Sequence, residues 1–226
     1  MAIVLKKVKQ NNYQDLTIDS NKIIGIMGQY KSFISLFNIS NIFLIGKECD
    51  FKKDVYETIK DFYNKDDLNE KIVLALNIFE LKEDFLSRKI SALSNCEKRI
   101  VQYIELLLTD KKIIIIDDPY LYLDYFYKKK FSFILNSLIR SNKTIIIGSS
   151  KSDDIYSLCS KLLLINEDSI VYGDINNLFK DKELLLKYGI VKPMIMEFVD
   201  LCHEKGKNIH YTNDIRDLIK EVYKNV

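Results

Sequence analysis

Three short segments carry residues whose types and order suit the binding of phosphate and magnesium. In the first, Gly25, Lys31 and Ser32 follow the spacing G-x-x-x-x-G-K-S, and Tyr30 stands where the second glycine is required. In an intact loop of this kind, backbone N–H groups surround the phosphates, the lysine reaches the outer phosphates and the serine hydroxyl binds Mg²⁺. An ordinary strand-to-helix turn with an exposed lysine fits the same residues, so this segment alone leaves both interpretations open.

The second segment delivers adjacent carboxylates at the end of an apolar run. Residues 113–116 are all isoleucine, which predicts a buried strand, and Asp117 and Asp118 follow directly. A carboxylate at the end of such a strand can hold the hydrated Mg²⁺ of a bound nucleotide, and its neighbour can orient the attacking water. A strand that simply ends in solvated acids has the same pattern. The presence of a lysine and a serine in the first segment favours the functional interpretation.

The third segment marks the start of a helix. Ser94 and Glu97 have the spacing of a capping box, in which the serine oxygen accepts a backbone N–H and the glutamate reaches back to the serine N–H. We expect a helix that begins there and runs to about Leu108. The positive end of its dipole would point toward anything bound beside Ser94.

Strands and helices alternate along the elements that must position these segments. Residues 23–27 form an apolar run that ends at Gly28, and residues 32–37 can continue as a helix, which is the strand, loop and helix order of a phosphate cradle. Further strands are predicted over 41–45 and 144–147, a helix over 127–140, and a closing hairpin over 162–165 and 169–172. This alternation is typical of an α/β fold with a mostly parallel sheet flanked by helices.

The domain organisation follows from the same pattern. Helical spacing over residues 52–63 and 68–81 predicts a helical insertion at about 50–110 between core strands. We expect one main domain over residues 1–180 and a small helical appendage over 181–226, in which Met194, Phe198 and Leu201 share one apolar face.

Composition excludes several classes of protein. The 34 lysines and arginines nearly balance the 32 aspartates and glutamates and are interspersed with them, so no nucleic-acid partner is expected. The start of the chain is too short an apolar run for a signal peptide, and no run approaches the length of a transmembrane helix. The four cysteines form no CxxC pair. We therefore expect a cytoplasmic protein.

The order of the motifs resembles that of ATP-binding-cassette (ABC) ATPases, over residues 23–173. Residues 93–99 read LSNCEKR and resemble the family signature LSGGQ or LSGGE followed by basic residues, and residues 117–119 resemble its Asp-Glu-Pro segment. Residues 121–124 resemble its D-loop. The resemblance implies a P-loop NTPase-like fold that binds ATP and Mg²⁺. It implies nucleotide-binding roles for Gly25, Gly28, Tyr30, Lys31, Ser32 and Ser94, magnesium-binding roles for Ser32 and Asp117, and a catalytic role for Asp118.

Several positions depart from the family pattern. Tyr30 replaces a loop glycine, Asn95 and Cys96 replace two signature glycines, and Asp118 is one methylene shorter than the family's catalytic glutamate. Ser150 stands where the family places its switch histidine. The chain from Lys31 to the next core strand is short, which predicts a reduced β-subdomain. These departures predict impaired hydrolysis.

The tail adds a narrower resemblance, because residues 186–190 and Pro193 resemble the corresponding part of energy-coupling-factor transporter ATPases. This implies an ATP-binding subunit that couples Mg-ATP binding and hydrolysis to transport. The expected partners are a second ABC-type ATPase subunit, in a heterodimer, and a transmembrane transporter subunit that holds the chain at the membrane periphery. The alternative is a nucleotide-impaired interaction subunit that pairs with a competent ATPase.

Overall fold

A computed structural model describes residues 2–5, 16–31, 42–45 and 52–225 of the chain. Strands β1 (Ala2–Leu5) and β2 (Leu16–Asp19) form a small antiparallel sheet. The main sheet is mostly parallel and flanked by helices, and its strands are β3 (Ile23–Gly28), β4 (Ile42–Ile45), β5 (Ile113–Asp117), β6 (Thr144–Gly148), β7 (Lys161–Ile165) and β8 (Ile170–Asp174). Their order in the sheet is β4-β5-β6-β3-β7-β8. The predicted α/β fold class is therefore confirmed.

The chain divides into two compact units. Unit 1 contains the described residues up to Lys31 and those from Ile146 onward, and unit 2 contains the described residues between them up to Ile145. The helices of unit 2 are α1 (Val55–Phe62), α2 (Leu68–Phe79), α3 (Asn95–Leu108) and α4 (Tyr125–Arg140), with short 3-10 helices at Glu83–Ser87 and Ile90–Ala92. The helices of unit 1 are α5 (Ser152–Leu158), α6 (Ile175–Lys180), α7 (Lys182–Tyr188), α8 (Met194–Glu204) and α9 (Ile215–Asn225).

Unit 2 is built on the parallel pair of β4 and β5, in which Ile42 lies opposite Ile113. The isoleucines in the middle of β5 are fully buried, as expected for β-branched residues in a covered parallel strand. Tyr103 of α3 and Phe131 of α4 stack with ring centroids 4.4 Å apart, which adds an aromatic contact to this core.

Side-chain caps set where the helices of unit 2 begin. The Asp54 carboxylate accepts the Glu57 backbone N–H at 2.8 Å, so α1 begins after Asp54 rather than at the predicted residue 52. The Asp124 carboxylate accepts the Tyr127 N–H at 2.9 Å, and α4 begins two residues earlier than the predicted residue 127. Both corrections have the same cause, because an N-cap aspartate precedes the first helical residue.

Unit 1 contains the parallel pair of β3 and β7 and the antiparallel pair of β7 and β8, which confirms the predicted hairpin. The Tyr172 hydroxyl donates to the Asp19 carboxylate at 3.0 Å and thereby joins β2 to β8. The last two helices pack around Val199, Ile209 and Leu218. None of the helices within the described ranges is long and apolar enough to cross a bilayer.

The predicted apolar face of α8 lies on its outer side. Met194, Phe198 and Leu201 are 72%, 43% and 55% exposed, whereas Met196 and Val199 are buried. Residues of α8 therefore form two apolar stripes, one inside the unit and one exposed.

Candidate functional site

The predicted phosphate loop lies at the end of β3 in unit 1. Gly28 has φ +87°, and a Cβ there would lie 2.1 Å from the Ile165 carbonyl oxygen. The Gln29 N–H donates to the same oxygen at 2.8 Å. A Cβ at Gly25 would lie 2.4 Å from Ile155 Cγ2 of α5. Both glycines are therefore required by the backbone turn and its packing, and the loop geometry needs them before any ligand is considered.

Tyr30 and Lys31 follow this turn with helical backbone conformation. The Tyr30 side chain is only 3% exposed, whereas Lys31 is exposed to solvent. The tyrosine at the glycine position is thus buried, while the lysine can meet an anion in solution. Ser32, the predicted magnesium and nucleotide ligand, lies outside the described residues.

In unit 2, β5 ends at Asp117, the predicted magnesium ligand. Its Oδ1 atom is buried and has no hydrogen-bond partner within the described ranges. A buried carboxylate oxygen without a partner is unfavourable unless a cation or an ordered water meets it. Carboxylate oxygens are the ligands that Mg²⁺ prefers, so this residue fits the ion that the sequence predicts.

Asp118, the predicted catalytic residue, has a strained backbone. Its φ is +46°, in the left-handed region that few residues other than glycine adopt, and Tyr122 follows with φ +67°. The Leu121 N–H donates to the Asp118 carbonyl at 3.0 Å and closes a tight turn. Strain of this kind persists only where the surrounding structure holds it, and it concentrates at functional sites.

Arg99 of α3, one of the basic residues that follow the predicted signature segment, holds this turn, a role that its type and position did not predict. It is 5% exposed, and its Nη2 atom donates to the carbonyl oxygens of both Asp117 and Asp118 at 2.6 Å. Its Nη1 atom donates to Gln102 Oε1 at 3.1 Å. The contacts are made to backbone atoms, which any residue type offers, so pattern reading could not find them.

The predicted capping box at the start of α3 is confirmed. The Ser94 Oγ accepts the Glu97 N–H at 3.2 Å, and the Ser94 N–H donates to the Glu97 carboxylate at 2.8 Å. Ser94 and Asn95 are exposed, so the N-terminus of α3 is open to solvent within unit 2. Burial, with Asp124 and Glu97 nearby, raises the pKa of the Cys96 thiol, which keeps this helix N-terminus free of a thiolate charge.

Ser150 follows β6 in unit 1 and is exposed, as its predicted place at the switch position requires. Its neighbour Ser149 is fully buried and donates its N–H to the Ile26 carbonyl at 3.3 Å. The Ser149 Oγ accepts the Lys151 N–H at 3.1 Å. Two adjacent serines therefore have different environments, and only Ser150 is exposed to solvent.

Comparison with known proteins supports the predicted resemblance. No protein-family model matches the chain. It is 25% identical over 191 residues to the energy-coupling factor transporter ATP-binding protein EcfA2 of Acetivibrio thermocellus. It is 26% identical over 195 residues to EcfA3 of Oenococcus oeni, which bears the same description. These matches cover 84% and 85% of the chain but only 64% and 66% of the two relatives.

Solved structures establish the fold. An ATP-binding subunit of an ABC transporter superposes with a TM-score of 0.68 at 16% identity, covering 88% of this chain and 96% of the other. The protein cbiO1 of Clostridium perfringens, part of the ABC transporter complex cbiONQ, superposes with a TM-score of 0.62 at 16% identity, covering 85% and 92%. The chain is therefore similar in sequence to the ATP-binding proteins of energy-coupling-factor transporters, and it has the fold of ABC transporter ATPase domains.

Proposed function

We propose that the chain is an ATP-binding subunit of an ABC-type transporter and that Mg²⁺ accompanies the nucleotide. The observation that carries this proposal is the buried Oδ1 atom of Asp117 at the end of β5, which has no hydrogen-bond partner among the residues that the structure describes. An apolar side chain at this buried position would stabilise the fold. A carboxylate oxygen there destabilises the fold unless a cation or a water molecule binds it. The relatives named above are ATP-binding proteins, and their names support the same role.

Each proposed site residue has a role that matches the chemistry of its side chain. Lys31 supplies an exposed cation for the outer phosphates, and the turn at Gly28, which follows the closely packed Gly25 of β3, precedes it. Ser32 and Asp117 are the proposed magnesium ligands. When bound, the ion neutralises charge on the phosphate oxygens.

We propose that hydrolysis is slow in this chain. Asp118 is the proposed group that orients the attacking water, and its side chain is one methylene shorter than the family's glutamate. A displacement of about 1 Å at a reacting centre can lower a rate roughly 100-fold. Ser150 offers a short hydroxyl where the family has an imidazole, which removes a second contact to the outer phosphate.

We propose that the chain works in a heterodimer beneath a transmembrane transporter subunit, at the cytoplasmic face of the membrane. In the family it resembles, each nucleotide lies between the phosphate loop of one ATPase and the signature segment of the other. Two copies of this chain would combine Tyr30 with Asn95 and Cys96 in both sites. If the chain pairs with an ATPase whose two segments are intact, each site contains only one altered segment.

The alternative function is an interaction subunit that no longer binds nucleotide. The observation that favours it is the burial of Tyr30, which is 3% exposed at the position of a loop glycine. In that case the heterodimer and the membrane contact would be retained, and the competent partner alone would bind and hydrolyse ATP.

ATP affinity measured with Mg²⁺ and with EDTA separates the two functions. We expect Mg²⁺ to tighten ATP binding to the wild-type chain and Asp117→Asn to remove at least ~10-fold of that gain, because it weakens a metal ligand. Affinity in EDTA should be the same in both proteins. Asp66→Asn, at an exposed aspartate of the same unit, is the matched control. Absence of ATP binding at millimolar concentration would support the interaction subunit instead.

A further inference from the structure

We propose that Arg99 is the residue that positions Asp117 and Asp118, acting through the backbone of the turn that carries them. The inference rests on the proposed function, since its consequence is a carboxylate geometry suited to a magnesium-bound nucleotide. Arg99 touches no substrate in this account. It is a positioning residue that acts from α3 on the end of β5.

The contacts of Arg99 explain why an arginine is needed. The guanidinium is almost fully buried, and one of its nitrogens lies 2.6 Å from each of two consecutive carbonyl oxygens. Charge-assisted hydrogen bonds of this length are strong, and the rigid planar group fixes the two carbonyls relative to one another. A buried charge of this kind is costly to leave unpaired, so the turn and the arginine hold each other in place.

A second residue on the same face of α3, Tyr103, binds the next carbonyl, and we call Arg99 and Tyr103 together the clamp. Tyr103 lies four residues after Arg99, and its hydroxyl donates to the carbonyl of Pro119. The guanidinium carbon of Arg99 lies 5.7 Å from the centre of the Tyr103 ring. One helix face therefore holds three consecutive carbonyls, those of residues 117–119.

The turn needs this support because its conformation is unfavourable by itself. Asp118 has φ +46°, and the carbonyls beyond β5 leave the sheet ladder and require other donors. If the clamp is loosened, the turn can relax toward ordinary backbone angles. That relaxation would redirect the Asp117 Oδ1 atom and the Asp118 carboxylate together.

Arg99→Lys tests the proposal, because lysine keeps the positive charge, but its single nitrogen ends short of the position of Nη2 and cannot also bond Gln102. Tyr103→Phe is a second, milder variant that removes only the hydroxyl that donates to the Pro119 carbonyl. It tests the proposal if Arg99→Lys does not fold. Ile104→Val is the control. Ile104 is fully buried on the same helix, so this variant loses core packing without touching the clamp.

The first readout needs no nucleotide. Hydrogen exchange at the Leu121 amide, which donates to the Asp118 carbonyl at 3.0 Å, reports opening of the turn. We expect exchange at least ~10-fold faster in Arg99→Lys, from the loss of a charge-assisted hydrogen bond, and a smaller increase in Tyr103→Phe. In Ile104→Val it should stay close to the wild-type rate. Wild-type exchange in both clamp variants would overturn the proposal.

The second readout is the gain in ATP affinity that Mg²⁺ provides over EDTA. We expect this gain to fall ~10-fold in Arg99→Lys with affinity in EDTA unchanged, as happens when residues supporting a metal ligand are altered. An unchanged gain would overturn the positioning role while leaving the proposed function intact. Failure of the wild-type chain to bind ATP would overturn the proposed function, and the Leu121 exchange rate would then decide alone whether Arg99 holds the turn.

Discussion

Tyr30 shows how one residue can alter a phosphate loop without disturbing its fold. The glycine at this position in an intact loop lets backbone N–H groups approach the phosphates closely. In this chain the side chain is buried at 3% exposure, and the turn before it has Gly28 at φ +87°. We expect the tyrosine to restrict the approach of phosphate to the backbone N–H groups of this segment.

Tyr30→Gly should bind Mg-ATP about tenfold more tightly than the wild-type chain, because one or two N–H groups gain a phosphate partner. It should also lose about 3 kcal/mol of unfolding free energy, since a buried aromatic ring is removed. Calorimetric titration and urea denaturation measure the two effects. Tyr30→Ala is the control, because it leaves a similar cavity but keeps a Cβ. Equal affinities in the two variants would show that the tyrosine does not restrict the loop.

Asp118→Glu should raise the rate of ATP hydrolysis by up to ~100-fold with little change in ATP affinity, since it returns the missing methylene. The longer side chain is less suited to φ +46° than aspartate, so a stability loss of about 1 kcal/mol is expected as well. Single-turnover hydrolysis of bound ATP is the measurement, with Asp66→Glu as the control. A rate unchanged from wild type would exclude side-chain length as the cause of slow hydrolysis.

Individual residues also show which parts of the candidate site can be predicted from the sequence and which cannot. Asp117 and Asp118 could be predicted as site residues because their type and their place after an isoleucine run are both informative. Arg99 could not, because its partners are backbone carbonyls, and the clamp appears only when α3 lies against the end of β5. The same holds for Asp118's positive φ, which aspartate permits but does not require.

At the scale of elements, prediction succeeded where capping residues and apolar runs are both present. Ser94 and Glu97 predicted the start of α3 correctly, and its end at Leu108 agrees as well. By contrast, β2 (Leu16–Asp19) was not predicted, since four residues of mixed polarity carry little periodicity and the strand depends on its pairing with β1. The short helices α5 and α6 were missed for the same reason, because each has only about two turns of pattern.

Burial of the Glu105 side chain on α3 makes the stability of the folded chain depend on pH. Burial raises the pKa of the Glu105 carboxyl to about 7, above its ordinary value of 4.5. The folded chain therefore binds this proton more tightly than the unfolded chain does, so the resulting stabilisation is complete below pH 4.5 and is lost as pH rises through 7.

Glu105→Gln should therefore be more stable than the wild-type chain by about 3 kcal/mol at pH 8, and the difference should become small near pH 4.5. Urea denaturation at the two pH values measures it. Glu70→Gln, at an exposed position of α2, should leave the unfolding free energy unchanged at both. A constant difference across this pH range would show that Glu105 titrates normally in the folded chain.

At the scale of the whole molecule, the fold and the resemblance agree. The order of motifs predicted a resemblance to ABC-type ATPases, and both the sequence similarity and the fold confirm this resemblance. The division at residue 180 into a nucleotide-binding domain and an appendage stays a prediction. The helices of the appendage do share a small core of their own around Val199, Ile209 and Leu218. The exposed stripe at Met194, Phe198 and Leu201 is a second feature of that region, on the outer side of α8.

The proposed heterodimer rests on the altered residues taken together. Tyr30 lies in one unit and Asn95 and Cys96 in the other, so the predicted phosphate loop and the predicted signature segment both depart from the family pattern. A partner with intact segments would offset one alteration in each proposed site. Nucleotide binding, rather than rapid turnover by the chain alone, is therefore the central prediction.

Equilibrium binding of Mg-ATP to the wild-type chain and to Lys31→Ala tests that claim most directly, with Lys22→Ala at another exposed lysine of unit 1 as the control. We predict micromolar binding by the wild-type chain and by Lys22→Ala, and a loss of at least ~10-fold in Lys31→Ala, because a charge-assisted contact to phosphate is removed. No binding by the wild-type chain in the millimolar range, or wild-type affinity in Lys31→Ala, would contradict the account.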